Sequence, residues 1–168
     1  SEVGEQLDSL ADLVSFGVAP GFLMFKLIEK SWTSGEPIVG FLPYLALLIP
    51  LFSALRLAKF NSDTRQADTF IGMPTPANSI FLYSFSLLAL YSDSETVRNV
   101  LLHPFFLSAV TIITSYLLVA ELPLMSLKAK NLSWQDNKGR IVLIVTIAVL
   151  IAAFRYRAMV FVIPVYLL

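Results

Sequence analysis

The chain has 168 residues, of which 57% are hydrophobic and 14% charged, with a formal net charge of zero and a mean hydropathy of +0.75. Soluble domains run at about 45–50% apolar and about 25% charged, so the surplus excludes an ordinary water-soluble surface and points to a membrane protein. The absence of cysteine excludes disulfides, thiolate metal sites and a cysteine nucleophile.

Roughly 20 apolar residues cross a bilayer once, so the length leaves room for about five or six crossings with short loops. The expected fold is all-α: a polytopic transmembrane helical bundle of about six spans, with residues 1–168 forming a single transmembrane domain. The opening Ser-Glu-Val-Gly has no initiator Met and no signal-peptide pattern, and reads as a cut inside a longer protein.

The first predicted span, 7–28, is apolar except for Asp8, Asp12 and Lys26, and Pro20-Gly21 predicts a kink. A polar hairpin at 29–37 leads to a second span at 38–58 that contains Pro43 and Pro50. The most polar interior stretch, 59–78, carries Lys59, Asp63, Arg65 and Asp68. A third span is predicted at 79–91 and a fourth at 104–125, separated by a loop with Asp93, Glu95 and Arg98. After a basic loop at 128–140, the apolar run 141–168 is broken by Arg155-Tyr156-Arg157. Two short spans suit it better than one, because two arginines at the bilayer centre are costly.

Lys and Arg set the orientation. Lys59, Arg65, Lys128, Lys130, Lys138 and Arg140, with Arg56 just inside its span, fall in loops on one side. The positive-inside rule makes that side cytoplasmic, and the start of the first span lies there too.

Charged residues in apolar spans are candidates for function, because burying each in lipid costs roughly 2.5–3.5 kcal/mol or more. In Gly4-x3-Asp8-x3-Asp12, each four-residue step turns about 400° and rises about 6 Å, which puts all three on one helix face with Ser15 beyond them. Two bare carboxylates at that spacing repel, and a hard divalent cation, Mg²⁺ or Mn²⁺, removes the conflict. Gly4 lets a backbone or phosphate approach closely. The alternative is an acidic cluster at a helix start. Arg56, Lys59 and Asn61 form a second group, suited to phosphate or to anchoring the span on anionic lipid. Thr75 and Asn78, in Gly72-Met-Pro-Thr-Pro-Ala-Asn78, form a third, either for a small polar acceptor or as helix caps in a stiff turn. All three groups fall at the cytoplasmic interface, an arrangement suited to phosphoryl transfer on a lipid headgroup. His103 reads as structural, Glu121 as an interfacial cap ahead of a contact with the basic cluster, and Trp32 and Trp134 as belt residues.

These blocks resemble the CDP-alcohol phosphatidyltransferase family. Gly4-x3-Asp8-x3-Asp12 is similar to the second half of the signature D-x2-D-G-x2-A-R-x7–8-G-x3-D-x3-D. The run Asp8 to Pro20, Leu55-Arg-Leu-Ala-Lys-Phe-Asn61 and Pro74-Thr-Pro-Ala-Asn78 resemble its bacterial serine-transferring branch. The first half of the signature is absent, so the resemblance implies two leading helices and the first metal aspartates upstream, and a fragment inactive alone. It further implies Asp8 and Asp12 as metal ligands for Mg²⁺ or Mn²⁺, and Asp12 as the general base. Gly4, Ser15, Arg56, Lys59, Asn61, Thr75 and Asn78 are then expected to bind substrate. The implied reaction belongs to phospholipid biosynthesis and moves a phosphatidyl group from CDP-diacylglycerol to L-serine, giving phosphatidylserine and CMP. Glycerol phosphate, inositol or inositol phosphate are alternative acceptors, and an ion-coupled membrane transporter is an alternative class. The expected partners are CDP-diacylglycerol, L-serine, membrane lipid and a second copy in a homodimer, with no nucleic acid. The expected location is the bacterial cytoplasmic membrane, with the active site facing the cytoplasm.

Overall fold

The structure, a computed structural model, describes residues 1–31, 39–62, 70–121, 123–124, 134–154 and 159–167. Its first rod joins α1 (Glu2–Leu13), one π-helical turn (Val14–Val18) and α2 (Ala19–Ser31). Ser1 caps the rod, its hydroxyl accepting from the Gly4 amide. The irregularity expected at Pro20 appears one turn earlier, as the π turn. There the Ala19 amide donates to the Val14 carbonyl. The next donor in that register would be Pro20, which has none. The Ser15 carbonyl left over accepts instead from the Tyr83 hydroxyl at 3.4 Å.

A 3₁₀ segment (Val39–Leu47) runs directly into α3 (Leu48–Ser62). Pro43 and Pro50 each remove a backbone donor, and the stretch ahead of α3 winds tighter than an α-helix. Helix α4 (Thr75–Tyr91) starts four residues before the expected 79, because Pro76 suits a first helical turn. Helix α5 (Glu95–Leu101) is capped by Ser94 and bends by 58° into α6 (Pro104–Val119). The expected span at 104–125 stops at Val119. Beyond it, Pro123–Leu124 (β2) pairs antiparallel with Phe70–Ile71 (β1), Phe70 facing Leu124 and Ile71 facing Pro123. Helix α7 (Trp134–Phe154) takes in the end of the expected basic loop, and α8 (Met159–Leu167) packs on α4 and α7. The Arg155–Arg157 break, Trp32, Asp63, Arg65, Asp68, Lys128 and Lys130 lie outside the described residues.

Among the described residues, two stretches are long and apolar enough to cross a bilayer: Gln6–Ser31, with 26 residues, and Gly40–Ser62, with 23. They become three if the bent α5–α6 pair is one span. The expected six are not reached on this measure. Helices α4 and α6 have 17 and 16 residues, short of the roughly 20 that one straight crossing needs.

The bundle is apolar outside and hydroxyl-rich inside. On α6, Phe105, Ile112, Ile113 and Tyr116 are exposed, whereas Ser108, Thr111, Thr114 and Ser115 are buried. Water would reverse that choice. Lipid favours it, because tails match Ile and Phe while small hydroxyl residues let helices approach. Ser108 and Thr111 bond back to the carbonyls of Pro104 and Leu107, each at 2.8 Å. An apolar core of Met24, Leu27, Ile28, Ala46, Ile49, Leu82, Phe85 and Leu107 ties α2, the 3₁₀ segment, α3, α4 and α6 together. This helical bundle, whose strand pairing among the described residues is limited to two residues a side, is a membrane protein.

Candidate functional site

The expected carboxylate, cation and polar groups meet where α1, α3 and the start of α4 converge. A cavity of about 160 Å³ is lined by Asp12, Arg56, Leu57, Phe60, Pro74, Thr75 and Pro76. Asp12 is half-buried at the end of α1. Asp8, one turn earlier, is exposed and outside the cavity lining.

Arg56 is only 5% exposed. Its Nε donates to the Met73 carbonyl at 3.4 Å, and its guanidinium lies 5.5 Å from the centroid of the Phe60 ring. A cation held over an aromatic face and bonded to backbone is positioned before any anion arrives. Phe60 was missed from sequence, although its four-residue spacing from Arg56 on one helix was the signal. The strap that supplies the Met73 carbonyl is itself anchored, with the Met73 amide donating to the Leu117 carbonyl at 3.1 Å. Gly72 precedes it at φ 79°, and a Cβ there would sit 2.8 Å from the Ala120 carbonyl oxygen. Only glycine fits without strain.

The other expected residues are distributed around this cavity. Lys59 pairs with Glu121 at 2.8 Å, the contact with the basic group that is the alternative to an interfacial cap. That contact depends on the end of α6 folding back beside α3, which local sequence does not reveal. Asn61 donates to the Ser9 hydroxyl at 2.9 Å, linking α3 to α1 at a second groove. Gln6, Leu10, Leu13, Ala54 and Leu57 also line that groove, which is open and has a volume of about 330 Å³. Leu57 is common to groove and cavity.

Thr75 is buried at the first position of α4 and lines the cavity. Asn78 is fully buried one turn deeper. Neither caps the helix: the N-cap is Pro74, with no side-chain cap bond. The Asn78 side-chain oxygen and nitrogen both lack hydrogen-bond partners among the described residues. Gly4 and Ser15 are exposed and lie outside the cavity lining, and the π turn starts between Asp12 and Ser15. His103 stands at the N-cap of α6, its ring 5.7 Å from that of Phe105.

Among the described residues, no group of three or more His, Cys, Asp or Glu side chains could hold a metal ion. Asp8 and Asp12 alone offer two hard oxygen donors one turn apart. They fit a Mg²⁺-type ion only if its remaining ligands are phosphate oxygens and water, which is the usual way Mg²⁺ is held beside a phosphorylated substrate.

The arrangement defines a class: a helical membrane protein with a carboxylate and a pre-oriented arginine on one small cavity beside an apolar groove. The chain is similar to the CDP-diacylglycerol–serine O-phosphatidyltransferase of Bacillus subtilis (strain 168), at 43% identity over 76 residues, covering 45% of this chain and 40% of that protein. It is 31% identical over 136 residues to the protein of that name from Mycobacterium tuberculosis (strain CDC 1551 / Oshkosh), covering 77% of this chain and 44% of the relative. It is also 36% identical over 90 residues to the archaetidylserine synthase of Methanothermobacter thermautotrophicus, covering 54% of this chain and 36% of that protein. These relatives support the CDP-alcohol phosphatidyltransferase family. The chain spans less than half the length of each. No family model and no solved structure matches it.

Proposed function

We propose that the chain carries part of the active site of a CDP-diacylglycerol–serine O-phosphatidyltransferase of the bacterial cytoplasmic membrane, with its cavity on the cytoplasmic side and about six spans in the bundle. The observation that carries the reading is the meeting of Asp12, Arg56 and Thr75 on one cavity. Relatives named for this reaction support it.

In this reading the diphosphate of CDP-diacylglycerol lies against Arg56, whose charge offsets that building up on the phosphate oxygens. The diacylglycerol end lies along the apolar groove, which Leu57 joins to the cavity. Asp12 accepts the proton of the serine hydroxyl. The hydroxyl oxygen bonds to the phosphorus that carries diacylglycerol, and the bond from that phosphorus to the CMP oxygen breaks. CMP leaves with the electron pair, and phosphatidylserine remains in the membrane. Asp8 and Asp12 would hold Mg²⁺ or Mn²⁺, which when bound supplies positive charge to the diphosphate. Thr75, on the cavity lining, would hold the acceptor, with Asn78 one turn deeper behind it.

The full-length protein, purified in detergent with CDP-diacylglycerol, is expected to release CMP and label lipid from radioactive L-serine, and to stop when divalent ions are chelated. Serine, glycerol phosphate, inositol and inositol phosphate are compared as acceptors. Labelling from another acceptor and not from serine would reject serine, and no CMP release from any of them would reject the chemistry.

A further inference from the structure

Asp12 and Arg56 stand on different helices yet line one cavity, so the spacing of α1 and α3 sets how the carboxylate meets the cation. These rods approach closely at two glycines, Gly21 against Pro50 and, nearer the cavity, Gly17 against Ser53. A Cβ built on Gly17 would lie 2.9 Å from Ser53 Cβ and 3.2 Å from Ser53 Oγ, closer than packed carbons tolerate. It would also meet Leu13 Cδ1 at 3.1 Å, but that is the end of a flexible side chain. Ser53 Cβ is fixed to the α3 backbone, so relief there requires one rod to move.

The contact is placed to control the cavity. Ser53 lies three residues before Arg56, about 4.5 Å along the same helix. Gly17 lies five residues after Asp12, inside the π turn. Such turns insert a residue into a helix and re-aim the face that precedes it. Ser53 Oγ is buried with no hydrogen-bond partner among the described residues, so smallness, and not bonding, explains a serine facing Gly17.

We propose that Gly17 and Ser53 are positioning residues, whose backbone-close contact fixes Asp12 against Arg56 for the transfer reaction. This role rests on the function proposed above. A side chain at 17 moves Asp12 by on the order of an ångström, enough for about a hundredfold loss when reacting groups must be aligned.

The test pairs activity with a distance readout that needs no activity. Gly17→Ala, Ser53→Gly and the double variant are made in the full-length protein. The same set is made with Ser9→Cys and Asn61→Cys, a pair taken from the 2.9 Å contact that joins α1 to α3. These 168 residues have no cysteine, and any cysteine elsewhere in the full-length protein is replaced by serine, so a short bifunctional thiol reagent reports that spacing. Gly17→Ala is expected to lower kcat about a hundredfold, with a smaller change in KM, and to reduce cross-linking severalfold. Adding Ser53→Gly is expected to restore both to the level of Ser53→Gly alone. Unchanged kcat and cross-linking in Gly17→Ala would overturn the proposal, as would a double variant that regains neither. If the unmodified protein transfers no serine, the proposed reaction fails while the cross-linking arm still decides the spacing.

Discussion

The Met73 carbonyl oxygen lies 3.4 Å from Arg56 Nε, so the cation of the cavity is tied to the strap between β1 and α4. The strap is tied in turn to α6 through the bond from the Met73 amide to the Leu117 carbonyl. Three segments distant in sequence therefore fix one guanidinium.

Replacing Arg56 by Lys keeps the charge but loses the planar group that reaches Met73 and faces Phe60. Arg56→Lys is expected to lower serine transfer at least tenfold and to cost about 1–2 kcal/mol of stability, because a buried charge loses its fixed partners. Thermal unfolding alongside the CMP-release assay reads both. Parent-level activity in the lysine variant would mean that charge alone suffices.

Asp12→Asn preserves shape and removes the proton acceptor. A general base contributes about 10²–10⁴-fold, so the variant is expected to lose at least a hundredfold in kcat while keeping the parent's melting temperature. Activity within a few-fold of the parent would assign the base elsewhere.

Asn78 separates function from stability. A buried amide without partners costs about 1–3 kcal/mol, and an apolar group of similar size removes that cost. Asn78→Leu is expected to be as stable as the parent or more so, yet to need far higher serine for the same rate. A stability loss with unchanged serine KM would make Asn78 purely structural.

Gly72→Ala places a Cβ at φ 79° and 2.8 Å from a carbonyl oxygen. Strain of this kind costs about 1–3 kcal/mol, and the melting temperature is expected to fall accordingly. The same substitution at exposed Gly4, where a Cβ meets only Ser1 Oγ at 3.4 Å, is expected to leave it nearly unchanged.

The Lys59–Glu121 pair is 40% and 69% exposed at its side chains. Such pairs contribute about 0–1 kcal/mol and weaken with salt. A double-mutant cycle measured by thermal unfolding is expected to give a coupling inside that range, shrinking as salt is raised.

Much of the site was legible locally. Asp12 and Arg56 stood out because charges in apolar runs are costly, and the positive-inside pattern placed them on one side. Helix positions followed from hydropathy, but their ends did not. The start of α4 at Thr75 depends on how Pro76 enters the first turn, and the stop of α6 at Val119 on a strand pairing with residues 70–71. The fate of Asn78 was hidden for the same reason: as a sequence it suits a helix cap, and only packing against other helices buries it. Lys59–Glu121 and Gly17–Ser53 are tertiary contacts with no periodic signature.

The short pairing of Phe70–Ile71 with Pro123–Leu124 has a consequence for biogenesis. These dipeptides can meet only after everything between them has been synthesised and α6 has returned to the side from which α4 departed. The strap that holds Arg56 therefore sets only after α6 is in place. A nascent chain halted before residue 123 would carry every side chain of the cavity and still lack the clasp that orders them.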